Sequence, residues 1–325
     1  MSADQGSSPK PAARPRRDQF AGCLLGLAVG DGLGAPYEGL PADVIDQMGP
    51  ATALVREPRE AVLHYTDDTQ MTIGVAEALV EHSTIDEGRL CATFAANYDP
   101  ARGYGPGARR IMEAVRDGAD WRPLTREVFP GGSLGNGAAM RVAPIGLLFA
   151  DDLDRVAAEA ERSALPTHTH PIGIDGARLM AVAVALALRP GPFDRRAFYR
   201  ELTGHARTEE FQWQLSIARQ LKRSDSVAGF GNSLEAHRSV TTAIAIFAAS
   251  PDDYLGVVGR ALGQGNDVDT LAAMAGALAG ARLGRAGVPA DLIARLEDQG
   301  KGRRHLEGLA DRLYDLHTAR RATAP

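Results

Sequence analysis

The sequence predicts an all-α protein, and three observations carry that reading. Apolar residues recur at three- and four-residue intervals from residue 18 onward, the spacing that lines one face of a helix. Alternating β-branched residues, the mark of a half-buried strand, are scarce. Glycine-rich stretches interrupt the periodic segments at 30–39, 102–107, 131–137, 229–232 and 263–269, where helices are expected to stop.

The elements follow in order. DQFAGCLLGLAV at 18–29 sets Phe20, Cys23, Leu24 and Leu27 on one face. Met71, Val75 and Leu79 repeat the pattern over 71–80. Further helices are predicted over 87–98, 106–117, 135–149, 152–164, 173–188, 194–203, 208–221, 234–249, 253–263, 269–285, 290–298 and 303–320. Two are rich in small residues. One contains LMAVAVALAL at 179–188, and in the other Ala273, Gly276, Ala277 and Gly280 recur at helical spacing. An interior glycine costs a helix about 1 kcal/mol relative to alanine. Its recurrence therefore predicts core helices with closely approaching axes. No shift in composition divides the chain, which predicts one domain over 18–325 behind a disordered, basic, proline-rich tail at 1–17.

Composition bounds the function classes. A chain of 325 residues, 44% hydrophobic and 24% charged, buries a core without needing a disulfide or metal staple. A metal implied by the motifs is then catalytic rather than structural. The formal net charge of -5 argues against a nucleic-acid partner. It leaves room for a nucleotide held by backbone N–H groups at helix N-termini. The two cysteines, Cys23 and Cys91, form no CxxC and read as core thiols in a reducing, cytoplasmic setting. No run of 18 apolar residues predicts a membrane span, and the tail lacks the apolar centre of a signal peptide.

Two acidic junctions stand out, YTDDT at 65–69 and NDVDT at 266–270. Helix capping explains a single Thr or Asp at such a place. It explains adjacent carboxylates less well, because they repel unless a cation neutralises them. Each junction offers two carboxylates and a hydroxyl, the hard oxygen donors that Mg2+ and Ca2+ take. Two such segments suggest a dinuclear site. Zinc is disfavoured: His168 and His170 make an HxH pair without a third soft ligand nearby. Glu38 and Asp31 lie in or beside a glycine-rich loop, and spacing promotes neither.

Taken together, GDGLGAPYEG (30–39), YTDDTQMT (65–72), RGYGPG (102–107), GGSLGNGAAMR (131–141), PTHTHP (166–171) and GNDVDTLAAMAGALAGA (265–281) resemble the ADP-ribosylglycohydrolase family, in family order along nearly the whole chain after the tail. The resemblance implies a compact orthogonal bundle of α-helices with a binuclear metal site at helix ends. It implies two Mg2+ ions, or Mn2+ as in some members. It assigns Thr66, Asp67, Asp68, Asp267, Asp269 and Thr270 to the metals. Glu38 matches the family's loop glutamate and is the preferred acid–base group, with Asp67 or Asp269 as alternatives. Gly132, Ser133, Leu134, Gly135 and Asn136 match the loop that cradles the pyrophosphate and nearby ribose. Gly103, Tyr104 and Gly105 match another ligand-lining turn, and His168 a phosphate-proximal histidine.

The implied activity is metal-dependent hydrolysis of ADP-ribose from modified protein side chains, with ADP-ribosylated proteins and ADP-ribose as partners and a monomer as the simplest assembly. The motifs look closer to the branch directed at serine and other O-linkages, including ADP-ribose polymers and O-acetyl-ADP-ribose. The arginine-directed branch is the alternative. A non-catalytic ADP-ribose reader or a structural descendant would be expected to have lost acidic residues that are all present here. The chain departs from the pattern at Leu134, where some relatives carry an aromatic residue that stacks on adenine. Phe129 and Phe230 are candidate substitutes for that ring. It also departs at Asn266, often glycine, and at Val268, often Thr or Ala.

Overall fold

A computed structural model describes residues 14–323, and among them no β-strand occurs. The helices run α1 (Arg17–Gly34), α2 (Ala42–Met48), α3 (Ala51–Arg56), α4 (Asp67–His82), α5 (Glu87–Asn97), α6 (Pro106–Arg116), α7 (Trp121–Glu127), α8 (Ala143–Leu148) and α9 (Leu153–Ala164) through the first half. The second half holds α10 (Pro171–Ala187), α11 (Arg195–His205), α12 (Glu209–Ala218), α13 (Ala236–Ala249), α14 (Tyr254–Leu262), α15 (Val268–Leu283), α16 (Ala290–Arg295) and α17 (Arg303–Thr323). The all-α expectation holds. Most of the expected tail, residues 1–13, lies outside the described residues, and α1 starts one residue earlier than expected. Arg17 pairs with Asp311 and Asp315 of α17 rather than belonging to a tail.

The helix expected over 135–149 is only realised at α8. Its first half is diverted because Asn136 donates its N–H to Leu234 O at 2.8 Å instead of to a helical carbonyl. The short helices α2, α3 and α7 were not expected; none exceeds seven residues, too few for the apolar period to declare itself.

The centre is the antiparallel pair α1 and α15. Their backbones touch at four levels, one turn apart. A Cβ on Gly22 would lie 2.5 Å from Gly280 O, one on Gly26 2.6 Å from Gly276 O, one on Gly30 2.2 Å from Ala272 O, and one on Gly34 2.4 Å from Asp269 Cα. Nothing larger than hydrogen fits on α1 at these positions. By length and hydropathy α1 could cross a membrane, but 83% of its apolar window is buried inside the protein, as befits a core helix. Helix α17 closes one flank, with Phe20 edge-on to Tyr314 at 5.3 Å. Free thiols Cys23 and Cys91 are both buried.

This packing brings the C-terminal end of α1 together with the N-terminal ends of α4, α10, α13 and α15. Gly280→Ala should lower the free energy of unfolding by about 1–3 kcal/mol, the ordinary cost of overpacking, since the added methyl would sit 2.0 Å from Gly22 O. Gly308→Ala on the exposed face of α17, where nothing lies within 4 Å, should instead stabilise. Urea denaturation of both variants checks this, and equal behaviour would remove the α1–α15 contact as the organising feature.

Candidate active site

The site is built where five helix ends meet. Thr66 is the N-cap of α4, and its hydroxyl accepts the Asp68 N–H. The same hydroxyl donates to Asp31 Oδ1 at 2.8 Å. Asp31, fully buried near the end of α1, also accepts from the Thr66 and Thr69 N–H groups at 3.0 and 3.1 Å and from Thr69 Oγ1 at 2.5 Å. One carboxylate thereby fixes the whole turn that carries Asp67 and Asp68.

The second acidic segment is held differently. Asn232 Nδ2 donates to the carbonyls of Gly265 and Asp267 at 2.7 and 2.9 Å. Asn136 Nδ2 donates to Asp267 Oδ2 at 2.5 Å and to Ser239 Oγ at 3.1 Å. Asp267 is the N-cap of α15 but makes no side-chain cap bond. Capping therefore accounts for one threonine and for none of the four aspartates. Asn266 has φ of +61°. Asn tolerates this left-handed conformation and glycine adopts it freely, which explains why either residue suits this turn.

Two backbone bonds bring in Glu38. Gly39 N donates to Asn266 O at 2.8 Å, and Asn266 N donates to Leu40 O at 2.7 Å. Carboxylate oxygens of Glu38, Asp267 and Asp269 consequently lie within 4.8 Å of one another. Across the site, Thr270 Oγ1 donates to Asp68 Oδ2 at 3.2 Å, tying α15 to α4. Asp68 Oδ1 and Asp269 Oδ1 are buried with no hydrogen-bond partner.

These groups strain one another electrostatically. Burial first, then the Asp31 charge, pushes the Asp67 carboxyl up to about 8. Burial first, then Asp267, pushes Asp269 up to about 9. Asp68, Asp267 and Glu38 are raised chiefly by burial as well. Orphaned buried oxygens within an all-oxygen donor set fit a hard divalent cation, which would supply both the missing partners and the missing charge. His170 caps α10, its Nδ1 accepting the Ile172 N–H.

The glycine loop lies alongside. Leu134 O accepts the Ala236 N–H at 3.0 Å, so the loop is zipped to the start of α13. Gly132 has φ of +87°, and a Cβ there would fall 2.5 Å from His170 N. Ser133 Oγ accepts the Gly135 N–H at 3.2 Å. His168 is buried beneath, its Nε2 facing Gly135 and Gly137. A relay holds the ring: buried Arg141 donates to Thr167 Oγ1 at 2.9 Å, and that hydroxyl stands 2.7 Å from His168 Nδ1. Burial, then the Arg141 charge, lowers the His168 pKa to about 3, keeping the ring neutral.

Tyr104 is buried rather than lining an open surface, with its hydroxyl on Gln70 Oε1 at 2.9 Å and its ring edge-on to Tyr98 at 4.9 Å. Gly103 and Gly105 flank it with open space around them. Arg102 locks this turn to the first acidic segment: it donates to Tyr65 O at 2.7 Å, pairs with Glu297, and lies 4.0 Å over the Tyr65 ring. Of the rings considered as replacements near Leu134, Phe230 is buried and Phe129 is 41% exposed. Leu234, 69% exposed, is an apolar neighbour of the loop that the sequence did not single out. Asp31, Asn232 and Arg141 are the other residues that spacing alone did not assign.

An all-helical bundle with carboxylates gathered at converging helix N-termini defines a candidate metal-assisted hydrolase. Residues 12–323 match the family described as ADP-ribosylglycohydrolase. ADP-ribosylhydrolase ARH3 of Gallus gallus is 34% identical, with 88% of this chain and 91% of that protein covered. The Homo sapiens protein of the same name is 33% identical over 83% of this chain and 87% of its own. A solved structure titled as an ADP-ribosylglycohydrolase-related protein complex shares the fold, with a TM-score of 0.70 at 24% identity, covering 94% of this chain and 100% of that one. The chain belongs to the ADP-ribosylglycohydrolase family and is a glycosidic-bond hydrolase.

Folded-state carboxyls that hold protons more tightly than unfolded ones bind more protons across the interval between the two pKa values, so stability falls as pH rises through it. With Asp269 raised from 3.8 to about 9, that interval covers the neutral range. Thermal melts in chelator should therefore drop steadily from acid to alkaline pH. Added Mg2+ should restore more stability at alkaline than at acidic pH; a metal increment independent of pH would contradict the electrostatic account.

Proposed function

We propose that the chain is a Mg2+-dependent hydrolase that releases ADP-ribose from protein side chains, with O-linked (serine) attachment preferred over arginine. The observation that carries the metal reading is the pair of buried, partnerless oxygens on Asp68 and Asp269 beside the Glu38–Asp267–Asp269 cluster. Thr66, Asp67, Asp68, Asp267, Asp269 and Thr270 would hold two ions. Such ions supply Lewis-acid fixation of ribose hydroxyls and acidify a water. The linkage preference is supported by the motif resemblance and by the relatives named ADP-ribosylhydrolase ARH3. Longer ADP-ribose polymers and O-acetyl-ADP-ribose fall within the same O-linked class. We place the monomeric enzyme in the cytoplasm, in keeping with its two unpaired thiols.

The chain's own groups divide the remaining work. The loop at 132–136 cradles the pyrophosphate at the converging helix ends, with the Ser133 and Leu134 N–H groups as its backbone donors, since those of Gly132, Gly135 and Asn136 are given to Phe129 O, Ser133 Oγ and Leu234 O. His168 faces the loop through Nε2 without bringing a charge. Gly103 and Gly105 leave room beside the buried Tyr104 for the substrate. Glu38, on an exposed loop and raised by burial and by Asp267, moves the proton at the scissile glycosidic oxygen or the attacking water. Asp67 and Asp269 orient the reacting sugar.

Two defined peptides, ADP-ribosylated on serine and on arginine, test the proposal with Mg2+ and with chelator. Metal-dependent release from the serine peptide is expected; release from arginine alone would overturn the linkage, and metal-independent release the cofactor. Glu38→Gln should cut turnover by about a hundredfold or more while ADP-ribose binding, followed by calorimetry, stays near wild type. Undiminished turnover would move the proton-transfer role to Asp67 or Asp269.

A further inference from the structure

A cavity of about 940 Å3 lies between α11 and the end of α12, lined by Arg195, Arg196, Tyr199, Arg200 and Arg219. Helix α10 runs away from the acidic cluster for 17 residues, roughly 25 Å at the rise of an α-helix. Helix α11 begins just beyond its far end. Helix α11 then runs back beside α10, with Arg207 N donating to Asp175 Oδ2 at 2.9 Å, but none of the residues lining the cavity belongs to the acidic cluster or to the glycine loop.

Its chemistry is one-sided. Four guanidinium groups border one hollow on a chain whose net charge is -5. Among the described residues, Arg196 and Arg219 have no ion-pair partner, and Arg200 has only Glu201 at 3.5 Å. Arg195 is anchored, donating through its two terminal nitrogens to the carbonyls of Arg219 and Ala218 at 3.0 and 2.8 Å. Its Nε is buried without a partner. Tyr199, 2% exposed, lies under Arg195 with 5.0 Å from guanidinium carbon to ring centre. The Tyr199 hydroxyl is also buried without a partner. An arginine cannot accept its proton. Two buried donors in one wall thus lack an acceptor, under a rim of arginines.

We infer that this cavity is a second anion site, for a pyrophosphate-bearing ligand of the nucleoside diphosphate class. Phosphate oxygens supply the acceptors that Tyr199 and Arg195 Nε lack, and planar guanidinium groups match phosphate edge to edge. A single inorganic phosphate would leave most of the volume unfilled, whereas a nucleotide-sized ligand suits it. Two sources share this chemistry: a free nucleotide, and the pyrophosphate of a further unit in an ADP-ribose polymer. The second source rests on the function proposed above; the first does not.

ADP titrated calorimetrically into the full-length protein, with chelator present, tests the site. Wild type should bind two equivalents of ADP, one at the loop of residues 132–136 and one here; Arg196→Glu/Arg219→Glu should abolish the second, and Tyr199→Phe should weaken it about tenfold, the loss of one hydrogen bond to a charged group. Both variants should melt as wild type does and turn over a mono-ADP-ribosylated peptide unchanged. A raised KM for ADP-ribose polymer in the double variant would identify the polymer as the ligand. An unchanged KM with lost ADP binding would identify the free nucleotide. A second ADP equivalent that survives both substitutions intact, or a wild type that binds only one equivalent, would overturn the inference, whether or not the peptide is a substrate.

Discussion

The contact on which the rest of the structure depends is the backbone-to-backbone approach of α1 and α15. Side chains normally keep helix axes about 8–10 Å apart. Here Gly22, Gly26, Gly30 and Gly34 present bare backbone to α15 at successive turns. The consequence is chemical as well as mechanical. The last of these levels places Gly34 against Asp269 Cα, so the helix pair ends inside the site. Asp31 on α1 reaches across to grip the first turn of α4, and Thr270 on α15 reaches the same turn through Asp68. A shift of α1 along α15 would therefore displace both acidic segments at once.

The site is assembled against its own charge. Five aspartates and a glutamate share a small volume, most of them buried, and burial is the leading cause of every raised carboxyl among them. Two features oppose the repulsion without an ion. The N-terminal ends of α4 and α15 bring partial positive charge. Asp31 satisfies its oxygens with four donors from one turn, which makes it a structural anchor and leaves Asp67 and Asp68 free of that duty. What stays unbalanced is the outward set of oxygens. Binding of the proposed ions and fold stability would then be coupled, because an ion would complete bonds that the fold has left open.

The limits of sequence reading follow from particular residues. Long periodic segments such as 269–285 were legible because a buried helix shows its period over several turns. Helices α2, α3 and α7 are too short for that. The helix expected over 135–149 failed in its first half because Asn136 bonds to Leu234, a partner far away in the chain. The acidic segments were legible by composition and by resemblance, yet capping and metal binding stayed entangled until geometry separated Thr66, which caps, from Asp267, which does not. Asp31, Asn232 and Arg141 were illegible as individuals. Each acts through a long-range hydrogen bond or relay that no local pattern encodes. The four-residue glycine spacing from Gly22 to Gly34 was visible in the chain, but its meaning required the matching stripe on α15.

The same logic explains why the proposed proton-transfer group sits where it does. Four aspartates are buried or half-buried at helix ends, positions that fix direction and distance. Glu38 instead follows a 3-10 turn on an exposed loop, attached to the rest of the site through the Gly39 and Asn266 backbone bonds. A group that must approach a substrate, exchange a proton and withdraw gains from a tether that can yield. A group that holds an ion gains from one that cannot. The loop contact to Asn266 joins the two kinds of support, since the residue whose left-handed turn starts α15 also receives the Glu38 loop. Placement of Asp267 and Asp269 and placement of the proposed acid–base group are thereby set by one backbone junction.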